Sequence, residues 1–123
     1  MSTPLATLLV IDDDEDSEEA LSVLLRISGY SVIPAHSAAE ALDVLDERND
    51  IDLVISDIRM PGVDGLDLIR VVRHRFPALR TILVSGASLT DDDVLPREAS
   101  SILSKPVSIE ELKRAISTTL GRS

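Results

Sequence analysis

Apolar residues in this chain come in short runs separated by amphipathic stretches. The runs cover residues 8–11, 30–33, 53–55, 81–84 and 102–103. The first, third and fourth are nearly unbroken, as in strands covered on both faces. Between the runs the spacing becomes helical. Residues 16–28 carry Ala20, Leu21, Leu24 and Leu25 at helical intervals, and Gly29 supplies a stop. Ser37 with Glu40 forms a capping box, and Ala41, Leu42 and Leu45 follow on one side. Residues 65–75 place Leu66, Ile69 and Val72 on one face, ahead of Pro77. Ser108 with Glu111 makes a second capping box, opening a helix that runs to about Leu120. Strands alternating with helices predict an α/β fold, a parallel sheet with helices on both faces.

Residues 88–100 fit this scheme poorly. Thr90 can cap a helix and Asp91, Asp92 and Asp93 suit its first turn, but Pro96 removes a donor and clashes with the turn before it. The expectation there is a short helical turn or a loop.

Composition narrows the picture. A chain of 123 residues fits one domain over 1–123. Apolar residues make up 44% and aromatics 2%, so the core must consist of Leu, Ile, Val and Ala. Twelve basic residues against 22 acidic ones give a net charge of −10, which repels nucleic acid phosphates. Direct nucleic acid binding is therefore not expected. Cysteine is absent, so there is neither a disulfide framework nor a thiolate metal site. No apolar run approaches the roughly 18–20 residues of a membrane span, and no signal-peptide pattern opens the chain. The expectation is a soluble, cytoplasmic protein with no membrane partner.

In an open α/β sheet, ligands bind beyond the carboxyl ends of the strands. Asp12, Asp13 and Asp14 follow the first run, and Asp57 follows the third by way of Ser56. Ser85 follows the fourth, and Lys105 follows the fifth by way of Ser104. Three strands thus deliver acids or a hydroxyl to one edge, and a fourth delivers a cation. Carboxylates gathered there repel one another, and a hard divalent cation relieves that repulsion. Mg²⁺ suits a site with few carboxylates, several waters and a phosphate oxygen. A carboxylate can also attack phosphorus to give an acyl phosphate, in a transfer that needs mainly positioning and charge neutralisation. Lys105 would supply charge and Ser85 a hydroxyl donor to the phosphoryl group.

Plainer readings exist for each residue. Asp12 to Asp14 could be a solvated turn with helix-start acids, and Ser85 taken alone reads as structural. Asp57 could be an ordinary loop acid beside the turn residues Pro61, Gly62, Asp64 and Gly65. Together, at the ends of alternating strands, they favour the functional reading. His36, just before the Ser37 cap, is expected in a loop. His74 is expected near a helix end. Neither is expected to act as a ligand or a base.

Over essentially its whole length the sequence resembles the response regulator receiver family of two-component signalling. The matching motifs are Val10-Ile11-Asp12-Asp13-Asp14, Ile55-Ser56-Asp57-Ile58-Arg59-Met60-Pro61-Gly62, Asp64-Gly65, Val84-Ser85-Gly86-Ala87 and Ser104-Lys105-Pro106. The resemblance implies a doubly wound, flavodoxin-like, five-stranded sheet of order 2-1-3-4-5. It implies Asp57 as phosphoacceptor, with Ser85 and Lys105 assisting. It also implies Mg²⁺ held by Asp13 and Asp57, by Asp12 mainly through water, and by the carbonyl of Arg59. The donor would be a histidine kinase or histidine phosphotransfer protein, docking on the helix of residues 16–28. Output would pass through contacts with a downstream protein that the sequence does not name.

The departures lie on the family's output face. Where the family usually has a switching Tyr or Phe, paired in action with Ser85, this chain has Ile102. The aromatic after Lys-Pro is replaced by Val107. Two alternatives stay open. One, which these changes favour, is a receiver that binds partners without phosphorylation. The other, independent of these changes, is a Mg²⁺-dependent phosphatase or phosphotransferase acting on small molecules through an aspartyl phosphate, disfavoured because Arg59 stands where such enzymes need a second carboxylate. The chain is not expected to be a conventional enzyme.

Overall fold

The computed structural model describes residues 5–57, 65–85, 101–104 and 107–121. Strand β1 (Thr7–Ile11) leads into α1 (Glu15–Ile27), β2 (Ser31–Ala35), α2 (Ala38–Glu47) and β3 (Leu53–Asp57). Then come α3 (Gly65–Arg75), β4 (Arg80–Ser85), β5 (Ser101–Ser104) and α4 (Ile109–Thr119). All strand pairs are parallel and the sheet order is β2-β1-β3-β4-β5, as expected. The short helical turn or loop expected over 88–100 falls outside the described residues.

Side chains alternate across a strand, so each strand feeds two cores. From β1, Leu8 and Val10 point to one face, where Leu25 of α1 and Leu112 and Ile116 of α4 cover them. Leu9 and Ile11 point to the other, against Ala41 and Leu45 of α2 and Leu68 and Val72 of α3. Strand β3 divides likewise, with Leu53 and Ile55 on the first face and Val54 on the second. Leucine, isoleucine, valine and alanine dominate both layers, as the scarcity of aromatics requires.

Two details depart from the sequence reading. Strand β2 begins at Ser31 and extends through Pro34 to Ala35, beyond the expected end at Ile33. Proline is tolerated because β2 is an edge strand, with no strand beyond it among the described residues to require an N–H. The buried face of α1 is also rotated. Glu18, Ser22 and Leu25 are buried, whereas Ala20 and Leu24 are exposed. A polar pair occupies part of the stripe that the apolar residues were expected to fill.

Helix α1 ends in a Schellman arrangement. The N–H of Gly29 donates to the Arg26 carbonyl (3.0 Å) and that of Tyr30 to the Leu25 carbonyl (3.1 Å). Gly29 has φ +103°, and a Cβ there would lie 3.3 Å from Cδ1 of Leu5. Gly29→Ala should therefore lower the unfolding free energy by about 1–2 kcal/mol, read as an earlier urea midpoint. An unchanged midpoint would contradict this account of the turn.

Candidate functional site

The site grows out of strand register. In the β1–β3 pair, Ile11 lies beside Ser56. The next residue on each strand is an acid, Asp12 on one and Asp57 on the other. Both leave the sheet at its carboxyl edge. Asp12, Asp13 and Asp57 each present a carboxylate oxygen, and the three atoms lie within 4.8 Å of one another. Asp57 is half-buried and Asp13 exposed, so the cluster lies where the sheet meets solvent.

Local hydrogen bonds divide the work within the acid triplet. The Asp12 N–H donates to the Ala35 carbonyl at the end of β2 (3.1 Å), which continues the β1–β2 ladder into the loop. Oδ1 of Asp12 accepts the N–H of Asp14 (3.0 Å). Asp14 is the N-cap of α1. Its carboxylate accepts the N–H groups of Asp16 and Ser17 and the Ser17 hydroxyl. Satisfying helix-end donors this way is typical of a capping aspartate. Asp14 therefore serves the helix, while Asp12 and Asp13 join Asp57 in the cluster. On β3, the hydroxyl of buried Ser56 donates to the carbonyl of Asp57 (2.9 Å).

Hard oxygen donors carrying this much negative charge fit Mg²⁺ or a similar hard cation better than a soft one. Among the described residues, this is the cluster of three potential ligands able to converge on one ion.

The remaining expected site residues are placed only in part. Ser85 ends β4 opposite Ser104 of β5, at the same edge. Its side chain, together with Arg59 and Lys105, lies outside the described residues. Ile102 sits in β5, half-buried and paired with Leu83.

One polar group was not foreseen. Glu18 is only 5% exposed. Its Oε2 accepts the Ser22 hydroxyl, and its Oε1 accepts Nε2–H of His36 (2.8 Å). His36 does lie in a loop, but its ring is engaged with α1. Its pKa is raised, first by the hydrogen bond to the Glu18 carboxylate and further by the charges of Glu18, Glu40 and Glu15, against a partial opposing effect of burial. The sequence signal was an acid and a serine, Glu18 and Ser22, spaced four apart with Leu25 on the buried stripe of α1.

Fold and site define a doubly wound α/β domain with an acid cluster at the carboxyl edge of its central strands. A family model described as the response regulator receiver domain matches residues 8–117. The transcriptional regulatory protein GlrR of Escherichia coli (strain K12) is 38% identical over 125 residues, which take in 100% of this chain and 28% of that protein. A response regulator receiver domain protein from Clostridium thermocellum matches with a TM-score of 0.89 and 34% identity over 95% of each chain. The response regulator TrrA from Thermotoga maritima, in complex with Mg(2+)-BeF, matches with a TM-score of 0.85 and 30% identity, over 94% of this chain and 99% of that one. TrrA is also known in complex with the histidine kinase ThkA.

The chain belongs to the response regulator receiver domain family of two-component systems. It spans about a quarter of the length of GlrR.

A group whose pKa is raised on folding stabilises the fold below its unfolded value and loses that contribution as pH rises through its folded value. The stability advantage of the native chain over His36→Gln should therefore be full below about pH 6.5 and fade above it. Urea unfolding of both proteins from pH 5.5 to 9, in roughly half-unit steps, checks this. A gap that stays constant or grows would contradict the His36–Glu18 pairing.

Proposed function

We propose that this chain is a phosphoryl-accepting receiver, with Asp57 as the acceptor. The convergence of Asp12, Asp13 and Asp57 at the end of β3 carries the reading. In this role a carboxylate oxygen of Asp57 bonds to the phosphorus of a phosphohistidine as the P–N bond breaks. The imidazole nitrogen leaves with the bonding electrons, and an aspartyl phosphate remains.

Asp13 and Asp57 would hold the cation directly, Asp12 would reach it mainly through water, and, as the family resemblance implies, the carbonyl of Arg59 would complete the protein ligands. When bound there, Mg²⁺ neutralises carboxylate and phosphoryl charge. As the family resemblance implies, Lys105 and Ser85 would bind phosphoryl oxygens and so help to hold the incoming group at Asp57. TrrA, a relative at 30% identity, binds Mg(2+)-BeF, which supports this assignment of the edge.

The donor in this reading is a histidine kinase or a histidine phosphotransfer protein. Helix α1 offers it a surface, because Val23, Leu24 and Ile27 are exposed, Ile27 by 77%. The complex of TrrA with a histidine kinase supports that class of partner. The reading treats residues 1–123 as one receiver domain, places it in the cytoplasm and passes its output to a further protein. A net charge of −10 opposes direct contact with nucleic acid. Among the described residues, no helix is long and apolar enough to cross a membrane.

A second reading, a binding module that works without phosphorylation, draws on Ile102 where a switching aromatic is usual. Ile102 is half-buried in β5, and its substitution bears on output and leaves the acids of the acceptor edge intact.

Intact mass spectrometry after incubation with Mg²⁺ and acetyl phosphate, and separately with a phosphorylated histidine kinase, separates the two. The native chain should gain one phosphoryl group and Asp57→Asn none. No gain from either donor, with Mg²⁺ binding shown on the same sample, would establish the binding module instead.

A further inference from the structure

A buried carboxylate is expensive unless its lone pairs are satisfied. Glu18 meets that condition with partners on two elements, Ser22 on its own helix and His36 beyond the end of β2. A leucine would have filled this stripe of α1 without a charge to satisfy.

The partners of Glu18 trace a closed circuit around the acid loop. His36 follows Ala35, whose carbonyl accepts the N–H of Asp12 (3.1 Å). The ring of His36 donates to Glu18 Oε1 (2.8 Å). The main-chain N–H of Glu18 donates to the carbonyl of Asp14 (3.0 Å). The N–H of Asp14 donates to Oδ1 of Asp12 (3.0 Å), which closes the circuit. His36 is held on its other side too, because its N–H donates to Oε2 of Glu40 on α2 (3.2 Å). Asp12, Asp13 and Asp14 thus span a bridge whose two abutments, the end of β2 and the first turn of α1, are tied together by one side-chain bond.

We propose that Glu18 and His36 are positioning residues for the acid loop, fixing Asp12 and Asp13 where they and Asp57 converge on a divalent cation. This inference rests on the reading of that edge as a cation-dependent phosphoacceptor site. Without the Glu18–His36 bond, the end of β2 and the first turn of α1 lose their direct side-chain tie, and the carboxylates lose part of their fixed geometry. Partners that orient metal ligands typically change affinity by about 10–100-fold when removed. A clamp two bonds away from the carboxylates should fall at the lower end of that range.

The test is Mg²⁺ affinity by isothermal titration calorimetry, with the ¹H–¹⁵N signals of Asp12 and Asp13 followed in the same proteins. The variants are Glu18→Leu, Glu18→Gln and His36→Leu. All measurements are made at a temperature where circular dichroism shows each protein fully folded, so that a change in global stability alone leaves the affinity unmoved. Glu18→Leu keeps the stripe apolar and should weaken Mg²⁺ binding about tenfold, with the Asp12 amide signal displaced. Glu18→Gln keeps one acceptor, for the His36 ring, and turns an amide N–H toward the Ser22 oxygen, so it should retain most of the affinity. His36→Leu, at a position whose side chain is 32% exposed, tests the circuit from its other side. It should match Glu18→Leu, and the double variant should lose little more. Native affinity and native Asp12 signals in folded Glu18→Leu and His36→Leu would overturn the clamp while leaving the acceptor site intact. A native chain that binds no Mg²⁺ would overturn both readings.

Discussion

The parallel pairing of β1 with β3 is the constraint on which the rest depends. It sets Ile11 beside Ser56, so the chain delivers Asp12 and Asp57 side by side as both strands leave the sheet. A slip of one residue would be costly twice over. It would turn every core side chain of a strand to the opposite face, and it would part the two acids. Leu8 and Val10 on one face and Leu9 and Ile11 on the other oppose such a slip from both sides. The hydrophobic layers that stabilise the fold therefore also fix the geometry of the acidic edge.

Around that edge, negative charge is arranged by function. Asp14 is absorbed by helix α1 as its cap, Glu18 is satisfied in the interior by Ser22 and His36, and Asp52 accepts the first N–H of β1 from Thr7 (2.8 Å). Asp12, Asp13 and Asp57 are held together at the sheet edge. A chain with net charge −10 has many acids to place, and hydrogen bonding commits Asp14, Glu18 and Asp52 to the fold.

Much of this was legible in the sequence. The ends of apolar runs marked the ends of strands, so Asp12, Asp13 and Asp57 could be assigned to one edge before any coordinates. Ser37 and Ser108 announced their helices, and both hydroxyls accept the expected N–H groups, from Glu40 and Glu111. The extension of β2 through Pro34 was missed because the apolar run stops at Ile33, although the order implied by the resemblance already put β2 at an edge, where a proline is tolerated. The buried face of α1 was misjudged because apolar periodicity cannot show that a glutamate will be satisfied by a histidine 18 residues away. His36 looked idle for the same reason: its partner comes from tertiary structure. Arg59, Lys105 and the segment 86–100 lie outside the described residues, so their roles rest on the family resemblance.

The most direct measurement is the melting temperature of the native chain and of Asp57→Asn, with and without millimolar Mg²⁺. A cation that binds the folded state stabilises it by mass action, and three converging carboxylates repel when no cation is present. The native chain should melt below Asp57→Asn in metal-free buffer, and Mg²⁺ should raise the native melting temperature and narrow the gap. A native melting temperature that ignores Mg²⁺, together with an Asp57→Asn variant no more stable than native, would contradict the view that the β1–β3 register builds a cation site.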